Sequence, residues 1–343
     1  MFKRTTALAL LALTALTACQ NPNVSNRFSP RLAPVSASAR FQARNANVNW
    51  HAQLPADLQN YYASAKGLTG RELFMALHNI VSRAKQLDYG PGKSFLYAVA
   101  DNHKQGNQSG VTAVYSDLFV PGSGGSGGRY REQGDQNKDR KSGDFINCEH
   151  TWPQSFFSKR EPMRSDLHHL YPTLSVPNNR RGHHPFGMGS EGKVVYSTSS
   201  GSKLALRGRA LSFSSAEISQ LNALGAQSEQ SEEDNFSALG KGEAVFEPSN
   251  NQKGNTARAT LYFYLRFYNR NIRQGDYDAS DYLLRRLPMF AEWSAKVDPV
   301  DEAERRRNSV IAERQGNRNP FVDIPDLVNL IGFDTFREIE NQF

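Results

Sequence analysis

Cys148-Glu149-His150-Thr151-Trp152-Pro153-Gln154-Ser155 is followed by Ser165-Asp166-Leu167-His168-His169-Leu170-Tyr171-Pro172, and then by Asn178-Asn179-Arg180-Arg181. Pro153 disfavours a helix through the first stretch, which reads as a strand. In the second, Leu167, His169 and Tyr171 alternate with His168 and Leu170, the period of another strand. Pro172 to Pro177 is expected to turn the chain, and Asn178 to Arg181 to open a short helix. The order is therefore strand, strand, helix. Neighbours on an extended strand face opposite sides, so Glu149 and His150 can share a site only through a twist or bulge, or by reaching one group from two directions.

Those residue types suit phosphate-ester hydrolysis with one divalent ion. Glu149 is a hard oxygen donor of the kind that magnesium or manganese takes. His150, with an ordinary pKa of about 6.5, can accept a proton from water at neutral pH. Asn178 adds an amide oxygen, and Arg180 and Arg181 add fixed cations. Five of the eight histidines fall in this region, at 150, 168, 169, 183 and 184.

Outward from this centre, Leu54 to Lys66 and Thr69 to Leu87 read as helices, the second with Thr69 as N-cap and His78 packed near its apolar face. Phe95 to Ala100 and Val111 to Phe119 read as strands. Pro121 to Gly143 is a Gly/Ser-rich, then charged, loop. Asp135, Asn137 and Asp139 match the start of a calcium loop, but Arg140 stands at its turn glycine and Ile146 at its closing Glu, so a solvated loop is expected. Residues 212–256 form a second long polar region. Ala257 to Tyr268 reads as an amphipathic helix whose aromatics belong to the core, with base stacking as the alternative. Asp301 to Gln315 and Pro325 to Ile331 complete the helices. No internal repeat appears, and the reading is a single, mostly helical α+β domain over residues 51–343.

The N-terminus is a targeting segment. Lys3 and Arg4 precede an apolar run from Thr5 to Ala18, too short to span a bilayer comfortably. Leu16-Thr17-Ala18-Cys19 has the form of a bacterial lipobox, so residues 1–18 are read as a lipoprotein signal peptide and Cys19 as the lipidated residue. Residues 19–50, rich in Asn, Ser, Arg and Pro, then form a linker. The expected location is outside the cytoplasm, anchored to an outer membrane or cell surface, or secreted. With Cys19 lipidated, Cys148, the other of the two cysteines, has no disulfide partner in the chain. The formal charge of +7 and pI near 9.3 favour polyanionic partners, and a mean hydropathy of −0.61 fits a soluble body.

The central segment resembles the bacterial endonuclease I group of secreted, non-specific nucleases, which carry a ββα-metal (His-Me) finger. The resemblance rests on Glu149-His150-Thr151-Trp152-Pro153, Asp166 to Leu170, Asn178 to Arg181, and Pro185-Phe186-Gly187. It continues through Tyr61 to Ala65, Val245 to Pro248, Gly254 to Ala259, and Gln315 to Phe321, covering roughly residues 57–333. It implies His150 as general base, and Glu149 and Asn178 as ligands of one Mg²⁺, with Mn²⁺ or Ca²⁺ as substitutes. It also implies an arginine near the scissile phosphate, for which Arg164 and Arg181 are the candidates and Arg160 a third. The implied substrates are DNA and RNA, cut without sequence preference; attack by water leaves 5′-phosphate ends, and a monomer is expected. Cys148 stands where this group commonly has arginine, and its thiol is expected beneath the site.

Other readings compete. A structural zinc site could draw on Cys148 and the histidines, but the spacings lack the usual Cys-x-x-Cys or His-x₃-His pairs. A helical His-Glu-x-x-His protease motif is missing. A non-catalytic surface lipoprotein that binds nucleic acid is the blander account of the positive charge.

Overall fold

The computed structural model describes residues 49–122, 146–220, 239 and 241–343. They fall within one compact unit, Ala43–Phe343. The expected signal peptide, Cys19, most of the linker and the calcium-like Asp135-Asn137-Asp139 lie outside the described residues. Trp50, one residue before the expected boundary, is already buried in the core. No helix among the described residues is long and apolar enough to cross a membrane.

The chain opens with α1 (Ala56–Tyr61) and α2 (Gly70–Val81), shorter than the sequence suggests, with Thr69 at the N-cap position of α2. Leu73, Leu77, Ile80 and Val81 pack inward at helical spacing. His78 is buried too, its Nδ1 2.9 Å from the Leu265 carbonyl, as a packed helix histidine should be. α3 (Tyr89–Phe95) runs into a wider helical turn over Leu96–Ala100. This corrects the strand expected at Phe95 to Ala100. Leu96, Tyr97 and Ala100 are buried while Val99 is exposed, which is one face of a helix.

The strand expected over Val111 to Phe119 is instead a hairpin. β1 (His103–Gln105), β2 (Gln108–Ala113) and β3 (Leu118–Pro121) form an antiparallel sheet in that order. Tyr115 and Asp117, both at positive φ, make the turn between β2 and β3. β4 (Ile146–His150) pairs antiparallel with β5 (Leu170–Leu174), setting Glu149 opposite Tyr171 and His150 opposite Leu170. α4 (Ser175–Arg181) follows directly. Two expectations shift here. Leu167–His169 is a short 3₁₀ turn capped by the Asp166 side chain, not strand, and Pro172 lies within β5. Asn178 to Arg181 close the helix instead of opening it.

β6 (Lys193–Ser197), β7 (Lys203–Leu206) and β8 (Ala244–Glu247) form a second three-stranded antiparallel sheet. β8 falls inside the stretch expected to be polar loop. α5 (Asn250–Phe267) is the central helix, seven residues longer at its start than expected. Tyr262, Phe263, Tyr264, Phe267 and Tyr268 are all buried, so they pack the core and offer no face for stacking bases. α6 (Leu287–Glu292), α7 (Glu302–Gln315), α8 (Pro320–Asp323), α9 (Leu327–Ile331) and α10 (Phe333–Glu340) complete the body. Asp301 caps α7 through the Glu304 amide, and Gly316 ends it at φ 88°, where a residue without Cβ is unstrained.

The mixed helices and small antiparallel sheets make this an α+β fold. Most of the core surrounds α5. A second apolar cluster gathers Leu96, Val111, Val120, Cys148, Leu170 and Ile311 under β4. β4 and β5 are thus backed by packed side chains, which fixes the residues at their ends.

Candidate active site

Glu149, His150 and Asn178 line one solvent-open cleft of about 440 Å³, with Gln154 and His183 on its walls. The difficulty of two adjacent strand residues sharing a site is met by position: His150 is the last residue of β4. There the chain leaves the ladder for a turn through Thr151 and Trp152. Trp152 pins that turn. Its ring stacks on Phe263 at 5.4 Å and its Nε1 donates to the Ile272 carbonyl at 3.0 Å.

Glu149 is buried and held on one side. Its Oε1 accepts from the Tyr115 hydroxyl at 2.9 Å and lies 3.1 Å from Arg181 Nε. Burial pushes the carboxyl up to about 7, against the opposing pull of Arg181 and the Tyr115 hydroxyl. Oε2 has no hydrogen-bond partner among the described residues. Asn178, on the last turn of α4, likewise contributes no side-chain hydrogen bond among them. An unpartnered carboxylate oxygen and an amide oxygen on one cleft are a hard donor pair, which fits a divalent cation such as Mg²⁺.

His150 Nε2 lies 3.1 Å from the Arg164 carbonyl. A carbonyl only accepts, so Nε2 carries the proton and Nδ1 is the basic nitrogen of the neutral ring. Burial, reinforced by neighbouring His169, holds the imidazole well below its ordinary pKa. The ring meets His169 edge-on at 5.3 Å and lies 5.6 Å from that of Tyr89.

The three candidate arginines occupy different places. Arg181 is buried, donating to the Thr151 carbonyl and Tyr282 hydroxyl, each at 2.7 Å, and to the Gly182 carbonyl at 2.6 Å. Its guanidinium is committed to protein and to Glu149. Arg164 is half-buried; Nε donates to Gln154 Oε1 at 3.1 Å and the guanidinium lies 4.3 Å from the Tyr89 ring centre. Its two Nη groups have no hydrogen-bond partner among the described residues. Arg160 is exposed, and neither it nor Arg164 is among the residues that line the cleft, although Arg164 is bonded to Gln154, which is.

The other histidines serve the scaffold. His168 Nε2 is 2.8 Å from the Asn317 carbonyl, and His169 Nε2 2.8 Å from that of Met163. Asp166 between them and the core accepts from Tyr262, Gln315 and Arg266. Arg307 and Arg318 pair with Asp101 and Asp323. His183 lies on the cleft wall, 3.6 Å from Asp276, and His184 is buried. Cys148 is buried and in no disulfide, and its thiol donates to the Glu149 carbonyl at 3.9 Å. Among the described residues no three His, Cys, Asp or Glu side chains converge to hold a metal, so the Cys/His zinc alternative finds no support. Tyr115 and Tyr282 were not singled out by sequence. They arrive from segments remote in the chain, and nothing near either marks it. Gln154, inside the central stretch, was within reach of such a reading.

A family model described as Endonuclease I matches residues 69–218 and 205–326. The chain is similar to a protein named extracellular ribonuclease from Bacillus subtilis (strain 168), 26% identical over 286 residues, 79% of this chain and 77% of the relative. It is also similar to one of the same name from Bacillus amyloliquefaciens, 26% identical over 282 residues with the same coverage. With the family model extending over most of the folded body and the cleft at its centre, the chain belongs to the endonuclease I family of nucleases.

Proposed function

We propose that this chain is an exported endonuclease that hydrolyses phosphodiester bonds of DNA and RNA without sequence preference, using His150 as general base and Glu149 and Asn178 as ligands of one Mg²⁺. The observation that carries the reading is the convergence of these three side chains on one open cleft. We read β4, β5 and α4 as the ββα-metal unit that presents them. A bound divalent ion supplies Lewis-acid stabilisation of charge on the phosphate and the departing 3′ oxygen. His150 Nδ1 takes a proton from water as the water oxygen bonds to phosphorus. The bond from phosphorus to the 3′ oxygen breaks, and solvent protonates that oxygen. The products then carry 5′-phosphate and 3′-hydroxyl ends, and no 2′-hydroxyl is required.

Arg164, with its free Nη groups near His150, is the phosphate-facing arginine of this reading. Arg181 acts through Glu149. Relatives named extracellular ribonuclease support RNA among the substrates and support export. The lipobox at Leu16 to Cys19 is the basis for proposing a lipid anchor at Cys19, with residues 19–50 as tether to a monomeric nuclease domain. The excess of basic residues suits binding through the nucleic-acid backbone.

The competing account is a surface lipoprotein that binds nucleic acid without cutting it. Single-turnover cleavage and filter binding, run side by side on wild type and His150→Ala, separate the two. The nuclease reading expects cleavage to fall by about 10²–10⁴-fold with binding retained. Equal cleavage by the two proteins would remove His150 from the chemistry.

A further inference from the structure

Tyr115 sits in the turn between β2 and β3 with φ 73°, a region where a bulky aromatic is a true outlier. Glycine would make the same turn without strain, so the turn alone does not call for tyrosine. The residue is locked from several sides. Its carbonyl accepts from Thr198 Oγ1 at 2.8 Å and Ser200 Oγ at 2.9 Å. Its buried ring meets Phe246 edge-on at 4.8 Å. A phenylalanine would satisfy that packing equally. What the hydroxyl adds is one contact, the 2.9 Å hydrogen bond to Glu149 Oε1.

We propose that Tyr115, locked by Thr198 and Ser200, is a positioning residue for Glu149, gripping Oε1 together with Arg181 so that Oε2 is presented to a divalent cation. This rests on the reading of Glu149 as a metal ligand. A glutamate has three rotatable bonds, and one donor on one oxygen leaves it free to swing. A hydrogen bond from the β2–β3 turn and an ion pair from α4, both on Oε1, restrain the carboxylate from two sides and leave Oε2 as the oxygen turned to the cleft. Arg181 is itself immobilised by Thr151 and Tyr282, so the grip has two rigid jaws. Loss of such an outer contact typically weakens metal affinity by about 10–100-fold.

The test is a Mn²⁺ titration followed by electron paramagnetic resonance on the purified protein without nucleic acid. It compares wild type, Glu149→Gln, Tyr115→Phe and Tyr62→Phe. Tyr62 is an equally buried tyrosine whose hydroxyl donates to Asp323, so it controls for the general cost of losing such a group. The expected result is Mn²⁺ affinity lost in Glu149→Gln, about tenfold or more weaker in Tyr115→Phe, and unchanged in Tyr62→Phe. Raising the metal concentration should also restore cleavage by Tyr115→Phe. Wild-type affinity in Tyr115→Phe, with Glu149→Gln impaired, overturns the positioning role and leaves the metal ligand standing. Wild-type affinity in Glu149→Gln overturns the ligand reading itself. Should Tyr115→Phe not fold, Thr198→Val/Ser200→Ala decides: it unlocks the turn with the phenol in place, and unchanged affinity there contradicts the proposal.

Discussion

Arg164 and Arg181 carry the same charge and differ in what they can do with it. Arg181 is 1% exposed and faces a buried carboxylate. Removing one partner of such a pair leaves an unpaired buried charge, a loss of about 3–5 kcal/mol. Arg181→Ala should therefore lower the unfolding midpoint sharply, and activity with it. Arg164 has one hydrogen bond from Nε and stacks near Tyr89, so Arg164→Ala should leave the thermal midpoint close to wild type while weakening cleavage. Thermal unfolding and cleavage rate, measured on both variants, check this. A stable Arg181→Ala beside an unfolded Arg164→Ala would reverse the assignment. Residue by residue, the legible part of the cleft was the part encoded in one short stretch. Glu149, His150 and Asn178 advertise their chemistry by type and spacing. The arginines did not sort themselves, because burial and partners decide between them. Tyr115 and Tyr282 were silent because their contacts cross 34 and 131 positions.

At the level of elements, Trp152 shows how a strand end is held in place. It is fully buried, with its indole hydrogen-bonded and stacked on α5. Trp152→Ala should cost about 3–5 kcal/mol and, since it frees the turn after His150, should also reduce cleavage by the folded fraction. Chemical denaturation with a parallel rate assay measures both. A loss under about 1 kcal/mol would mean that the turn is held by other contacts. The strand at Phe95 to Ala100 was misread because a short apolar run has no period to separate helix from strand. The tertiary core decided, burying Leu96, Tyr97 and Ala100 along one helical face. The β2–β3 turn went unseen because its positive-φ positions hold Tyr115 and Asp117, with no glycine to mark them. β8, a four-residue strand, was lost in a polar surround. The strand, strand, helix order of the centre was legible, although the alternation that marked the second strand runs partly through a 3₁₀ turn and Pro172 lies within β5 instead of ending it. Its internal boundaries moved because His168 and His169 take carbonyl partners from a turn.

For the whole molecule, buried ionisable groups set how stability follows pH. Burial would raise the Asp166 carboxyl, but Arg266, His168 and His169 hold it down to about 2. Burial holds His168 and His169 down to about 4. Unfolded, these side chains titrate near ~3.9 and ~6.5. The imidazoles therefore bind protons in the unfolded chain, and not in the fold, as pH drops from about 6.5 towards 4. Their contribution fades over that window. The Asp166 contribution is fully present above about 3.9 and is lost as pH falls through about 2. These act in one direction, and His150 and His184, held well below their ordinary pKa, add to it. Glu149, raised to about 7, opposes them by taking up its proton first in the fold as pH falls from 7. With four imidazoles against one carboxyl, acid destabilises on balance. The unfolding midpoint should drop on the order of 5–10 °C between pH 7 and pH 5, then further below pH 4. Circular dichroism melts across pH 3–8 on wild type and Glu149→Gln provide the check, and a flat profile from 7 to 5 in both would show that the buried histidines are not held neutral in the fold.

The most direct measurement is digestion of plasmid DNA and ribosomal RNA by the purified protein in Mg²⁺ and in EDTA. The proposed one-metal mechanism, with His150 as base, predicts that EDTA stops cutting of both substrates and that added Mg²⁺ restores it. Undiminished cutting in EDTA would contradict that account.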